Sequence, residues 1–126
     1  MHRTWTSLGA ALAFIAVAGG AFGAHALRDR LEPDLLQVFD TGARYAMVHA
    51  LALLFVGVAA TQAGTGPQRR LILVAGVAFT MGTALFTGSL WCLALTGIRA
   101  FGAVTPLGGL CFLAGWSSLA LAARRG

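Results

Sequence analysis

Charged residues divide the chain into four long apolar runs, Thr4 to Ala24, Tyr45 to Ala63, Leu71 to Leu95 and Phe101 to Ala123, none of which contains Asp, Glu, Lys or Arg. At ~1.5 Å of rise per residue, each is long enough to cross a hydrocarbon layer of about 30 Å. Hydrocarbon offers no partner to a backbone N–H or C=O, so a crossing segment must bond within itself, and the runs lack the two-residue alternation of strands. The pattern predicts four spanning helices at about 4–26, 45–63, 71–95 and 105–123. The gaps between them are too short for a soluble domain.

The first gap has a pattern of its own. Leu31, Leu35, Val38 and Phe39 recur at helical spacing while Arg30, Asp34, Gln37 and Asp40 take the other side. That predicts a short helix at about 32–41 lying in the headgroup plane. Pro33 suits its first turn, and Gly42 allows the chain to bend down into the next span. Asp40 stands four residues before Arg44, the separation at which a helical ion pair meets. The expected fold is all-α: one domain over 1–126, an integral membrane four-helix bundle with an interfacial amphipathic helix between the first two spans.

Composition agrees. Apolar residues make up 58% of the chain and charged residues 10%, against roughly 45–50% and about 25% in soluble domains. So few charges cannot cover a soluble surface, which excludes a soluble enzyme and a disordered tail. The net charge of +5 comes from nine arginines scattered over every polar gap. They form no stripe, so no nucleic-acid partner is expected. With four crossings, Arg3, Arg69, Arg70, Arg124 and Arg125 share one side and Arg28, Arg30, Arg44 and Arg99 the other. Five against four places both termini in the cytoplasm. The start of the chain, with His2, Arg3 and the tripeptide Ala24-His25-Ala26, imitates a secretory signal peptide. Its apolar run is longer than is usual in such peptides, so a retained first helix is expected.

Lipid tails are as apolar as Leu, so helices in a bilayer associate through small residues and interhelical hydrogen bonds. Gly9, Ala13, Ala16, Gly20 and Gly23 form one seam; Gly76, Thr80, Thr83 and Thr87 form another; Cys111 with Gly115 and Ala114 with Ser118 offer a third. These faces are expected inward, with Phe14, Phe79, Phe86 and Leu113 toward lipid or in looser contacts. The threonines are expected to bond the carbonyl one turn back, and Thr105 to cap the fourth helix ahead of Pro106. Trp5 and Tyr45, at run ends, have the character of interfacial anchors, whereas Trp116 lies deeper than that role allows.

Two histidines carry the candidate chemistry. His25 ends the first run and His49 lies inside the second, and an ionisable group within a span is a functional candidate by default. Because the first helix leaves the membrane where the second enters, both are expected in one leaflet beside Arg44. The polar cluster so assembled is His25, Arg44, Tyr45, His49, Ser89 and Thr105. Its plain role is structural. Sharper alternatives are a haem held by His25 and His49 as axial ligands, a metal site adding Cys92 and Cys111, and a proton or small-solute path through His49, Arg44, Thr87, Ser89 and Thr105. No nucleophile with a base, no paired carboxylates and no phosphate-cradling loop can be found. No cofactor and no enzymatic activity are expected.

The blocks Gly20-Ala21-Phe22-Gly23-Ala24-His25-Ala26-Leu27, Gly42-Ala43-Arg44-Tyr45 with His49-Ala50-Leu51, Leu85-Phe86-Thr87-Gly88-Ser89-Leu90, and Thr105-Pro106-Leu107-Gly108-Gly109 with Ala114-Gly115-Trp116 are those of a known group. In order and over nearly the whole chain, the sequence resembles the bacterial inner-membrane family called domain of unknown function 423, which includes YgdD-like proteins and is similar to eukaryotic transmembrane protein 256. The resemblance implies a small four-pass inner-membrane protein of no settled activity. Its signature positions here are Gly23, His25, Arg44, Tyr45, His49, Gly88, Ser89, Thr105, Pro106 and Gly109. The expected role is a non-enzymatic accessory, assembly or interaction subunit. Its partners would be the lipid bilayer and a larger membrane complex or copies of itself; a transporter or channel acting as an oligomer is the alternative, and a haem or metal carrier the third.

Overall fold

The computed structural model describes residues 1–126 and is helical almost throughout, with no strand. Four helices cross end to end: α1 (His2–His25), α2 (Pro33–Gln62), α3 (Pro67–Thr96) and α4 (Thr105–Ala123), the last preceded by a 3-10 turn over Arg99–Ala103. All four segments are long and apolar enough to span a membrane. Proline opens α2, α3 and α4, where its missing N–H costs nothing. Gly97, at φ 72°, ends α3 in the left-handed conformation that closes a helix. Consecutive helices pack side by side, α1 on α2, α2 on α3 and α3 on α4. α2 and α3 form the middle, and α4 leaves a groove between itself and α2.

The interfacial helix is not there. No separate helix lies in the headgroup plane, because residues 33–62 are a single helix that runs through Gly42 without a break. At ~1.5 Å per residue it is about 45 Å long, so roughly its first ten residues stand beyond the hydrocarbon. The amphipathic period was real, but its apolar stripe meets protein instead of acyl chains. Phe39 is buried with Leu27 and Ala94 in a small core that Leu31, Leu36 and Trp91 complete. Gly42 is a contact point. Thr87 donates to its carbonyl at 2.8 Å, and a side chain on it would strike the Trp91 indole.

The small-residue faces are the packing surfaces, and aromatic rings from other helices fill most of them. Gly23 receives Phe39, Gly19 receives Trp91, Gly76 receives Trp5, Gly82 receives Phe112 and Gly115 receives Phe79. This corrects the placing of Phe79 among the outward residues: it is fully buried, and the bare face of Gly115 makes the room. Phe86 is half-buried within an aromatic group, while Phe14 and Leu113 face outward as expected. Of the third seam, on α4, Gly115 and Ser118 are inside and Ala114 is outside. Trp5 is no surface anchor; it is buried in the main core with Leu53, Val56, Ile72, Ala75 and Phe79.

Thr80 and Thr83 bond back to the carbonyls of Gly76 and Phe79. Thr87 instead ties α3 to α2, and Trp91 adds a second tie by donating to the Phe39 carbonyl at 3.0 Å. Each interhelical bond of this kind contributes about 0.6 kcal/mol in a bilayer.

Candidate functional site

His49 is the seventeenth of the thirty residues of α2 and is 3% exposed. Its level follows from the register of its neighbours. Gly23 lies against Phe39, Gly9 against Ala50 and Leu54, and Gly57 against Thr6, so His49 stands opposite residue 13 or 14 of α1. The imidazole is therefore near the middle of the membrane, deeper than the sequence placed it.

Both ring nitrogens are engaged. Trp116 of α4 donates its indole N–H to Nε2 at 3.1 Å, and an indole nitrogen can only donate. Nε2 must then be the acceptor, which leaves the proton on Nδ1 to be given to the Tyr45 carbonyl, 2.7 Å away. The result is a neutral imidazole with every polar atom satisfied, the condition that makes such a group tolerable in hydrocarbon. Aromatic rings enclose it. Phe112 is stacked on the imidazole at 3.5 Å between centroids, with Phe79 at 5.5 Å and Trp116 at 5.9 Å.

Around this centre the α2–α4 groove opens toward lipid as a cavity of about 650 Å³, lined among others by Tyr45, Val48, Phe86, Gly109, Leu113 and Trp116. The Tyr45 ring lies over Phe86 at 4.6 Å. Its main-chain carbonyl serves His49, but its hydroxyl bonds nothing within the chain. Gly109 leaves the wall bare, since nothing lies within 4 Å of where its side chain would begin.

The predicted cluster is thus only partly assembled. Tyr45 and His49 come together. Ser89 and Thr105 meet each other at 2.6 Å, joining α3 to the start of α4; Thr105 spends its hydroxyl there, and α4 has no side-chain cap. Arg44 is exposed and paired with Asp40 at 2.9 Å, as the spacing predicted. His25 is exposed at the end of α1. About eleven residues separate its level from that of His49, roughly 16 Å at ~1.5 Å per residue. Two histidines so placed cannot hold one haem iron between them, and Nε2 of His49 is already taken. Cys92 is exposed, Cys111 is half-buried, and no three metal-binding side chains converge. Sequence reasoning missed Trp116, Phe112 and Phe79 as members of the site. The one available signal was the depth of Trp116, too great for an anchor and matched to a buried acceptor.

The pattern of the family described as "Protein of unknown function (DUF423)" matches residues 19–109. The chain belongs to the DUF423 family. It is 43% identical to UPF0382 membrane protein YwdK of Bacillus subtilis, over 96% of each chain. It is 42% identical to UPF0382 inner membrane protein YgdD of Escherichia coli K12, over 89% of this chain and 82% of the relative. A Staphylococcus haemolyticus relative, UPF0382 membrane protein SH2409, is 41% identical over 89% of this chain and 88% of its own. No solved structure matches. This DUF423 protein is a four-helix membrane protein of a family without an assigned function. The match takes in His49, Tyr45, Phe79 and Phe86 and stops short of Phe112 and Trp116.

Proposed function

We propose that this protein is a non-enzymatic accessory subunit of the bacterial inner membrane that holds one spanning helix of a partner protein in the α2–α4 groove. One observation carries the reading. In a groove that opens toward lipid, the imidazole is fully used, and the Tyr45 hydroxyl, at the outer edge of the hydrocarbon, bonds nothing within the chain. An acyl chain lying in the groove offers that phenol no acceptor. A helix supplies one from a Ser, Thr or Asn side chain, and bare Gly109 lets its backbone come close.

The reading is tested in native membranes with a photo-reactive phenylalanine analogue at Val48 or Leu113, and at Val77 on the outer face of α3 as the control. All three residues are exposed. The expected result is an adduct from Val48 and Leu113, absent from Val77, mapped by mass spectrometry to an apolar span of a different protein. Tyr45→Phe should lower its yield about threefold, the effect of one bilayer hydrogen bond of ~0.6 kcal/mol. Adducts with lipid alone, or with a second copy of this chain, overturn the proposal.

A further inference from the structure

A second cavity, of about 430 Å³, lies between the last turns of α1 and the first turns of α2. Gly20, Gly23 and Phe39 make its floor, and Arg28, Gln37 and Asp40 stand around it. The floor is apolar because Gly23 has no side chain and the Phe39 ring occupies the place one would take. The polar rim is level with the Asp40–Arg44 and Asp34–Arg99 ion pairs, which mark the outer end of the apolar slab. The cavity therefore lies at the boundary between acyl chains and headgroups.

The rim charges are not spent on each other. Arg28 is paired with no carboxylate of the chain, and Asp40 gives only Oδ2 to Arg44, leaving Oδ1 free. A free guanidinium suits a phosphate diester, a free carboxylate oxygen suits a donor cation, and the Gln37 amide suits an ester carbonyl. We infer that this cavity binds a glycerophospholipid whose headgroup carries a primary ammonium, with Arg28 on the phosphate, Asp40 on the ammonium and the first acyl carbons over Gly20 and Gly23. Other headgroups fit less well. An anionic glycerol headgroup brings no cation to Asp40. A quaternary ammonium has no N–H to donate, and the aromatic cage that recognises such groups is missing from the rim. The site is separate from the α2–α4 groove and does not rest on what that groove holds.

The test uses the purified full chain in detergent micelles, offered equal amounts of phosphatidylethanolamine, phosphatidylcholine and phosphatidylglycerol of one acyl composition. Bound lipid is read by native mass spectrometry. The ethanolamine lipid should be retained about tenfold over either competitor, the worth of one charge-assisted hydrogen bond. Asp40→Asn should abolish the preference over the choline lipid, and Arg28→Gln should weaken all three. Both residues are exposed, and circular dichroism should show unchanged helix in both variants. Gly20→Leu, whose Cβ would meet only Ala43 at 4.0 Å, should block the floor and lower retention of all three lipids. Soluble phosphoethanolamine, lacking the tails, should fail to compete at equal concentration. Equal retention by the wild type, a preference that survives Asp40→Asn, or full competition by the soluble headgroup overturns the inference.

Discussion

The Trp116 indole and the His49 imidazole are 67 positions apart in sequence and 3.1 Å apart in space, and each satisfies the other in a medium that offers neither a partner. Trp116→Phe keeps most of the ring but removes the donor, leaving Nε2 unpaired; His49→Phe leaves the indole N–H unpaired. Each change should destabilise by about 1 kcal/mol, near the upper part of the range for bilayer hydrogen bonds. The double variant should cost less than the sum by a similar ~1 kcal/mol. Unfolding of the detergent-solubilised protein, followed by far-ultraviolet dichroism across a denaturant series, measures all three. Costs that add within ~0.3 kcal/mol mean that the bond contributes nothing. The sequence made His49 legible, because an ionisable group inside an apolar run is conspicuous. It left Trp116 unexplained, because helical period tells which residues share a face but not which face of another helix they meet.

At the scale of the element, periodicity located every crossing helix and most of the buried seam on α1, where Gly9, Ala16 and Gly23 are buried and Ala13 and Gly20 half-buried. It misjudged what the seams and stripes touch. The stripe through Phe39 was assigned to lipid and meets Trp91, and Gly42 was given a bend and carries a packed ring. Both errors have one physical origin: an apolar face does not record whether acyl chains or an aromatic side chain from a distant helix will cover it. The two accounts of Gly42 separate experimentally. At a hinge, Gly42→Ala would rigidify α2 and be harmless or stabilising. Here its methyl would lie 2.9 Å from Nε1 of Trp91, and that nitrogen is fixed by its bond to the Phe39 carbonyl. Gly42→Ala should therefore destabilise by about 1–3 kcal/mol. Gly88→Ala, with nothing within 4 Å, should leave stability unchanged or raise it by up to ~1 kcal/mol. Thermal melts of the two variants decide; a stabilised Gly42→Ala restores the hinge.

For the whole molecule, an even number of crossings puts both termini on one side, and the arginines decide which. Arg3, Arg69, Arg70, Arg124 and Arg125 stand at the end where α1 begins and α4 finishes; Arg28, Arg30 and Arg99 stand at the other, with Arg44 one helical turn below Asp40. Two of these four are held by carboxylates, Arg44 by Asp40 at 2.9 Å and Arg99 by Asp34 at 3.8 Å. Acids weigh little in orientation, so the decision rests on five arginines against four, and we propose that both termini are cytoplasmic. A fluorescent protein fused to the C-terminus should glow, and alkaline phosphatase fused there should be inactive; active phosphatase at that end refutes the assignment. The narrowness of the margin supplies a sharper check. Arg69→Gln with Arg70→Gln leaves three against four, which reverses the bias without touching the buried core, since at the start of α3 Arg69 is half-buried and Arg70 exposed. The double variant should insert in both orientations, giving fluorescence and phosphatase activity from separate populations. Arg28→Gln with Arg30→Gln widens the margin to five against two and should keep the original orientation alone. If neither pair of substitutions moves the reporters, the orientation is set by something other than the arginines that flank these helices.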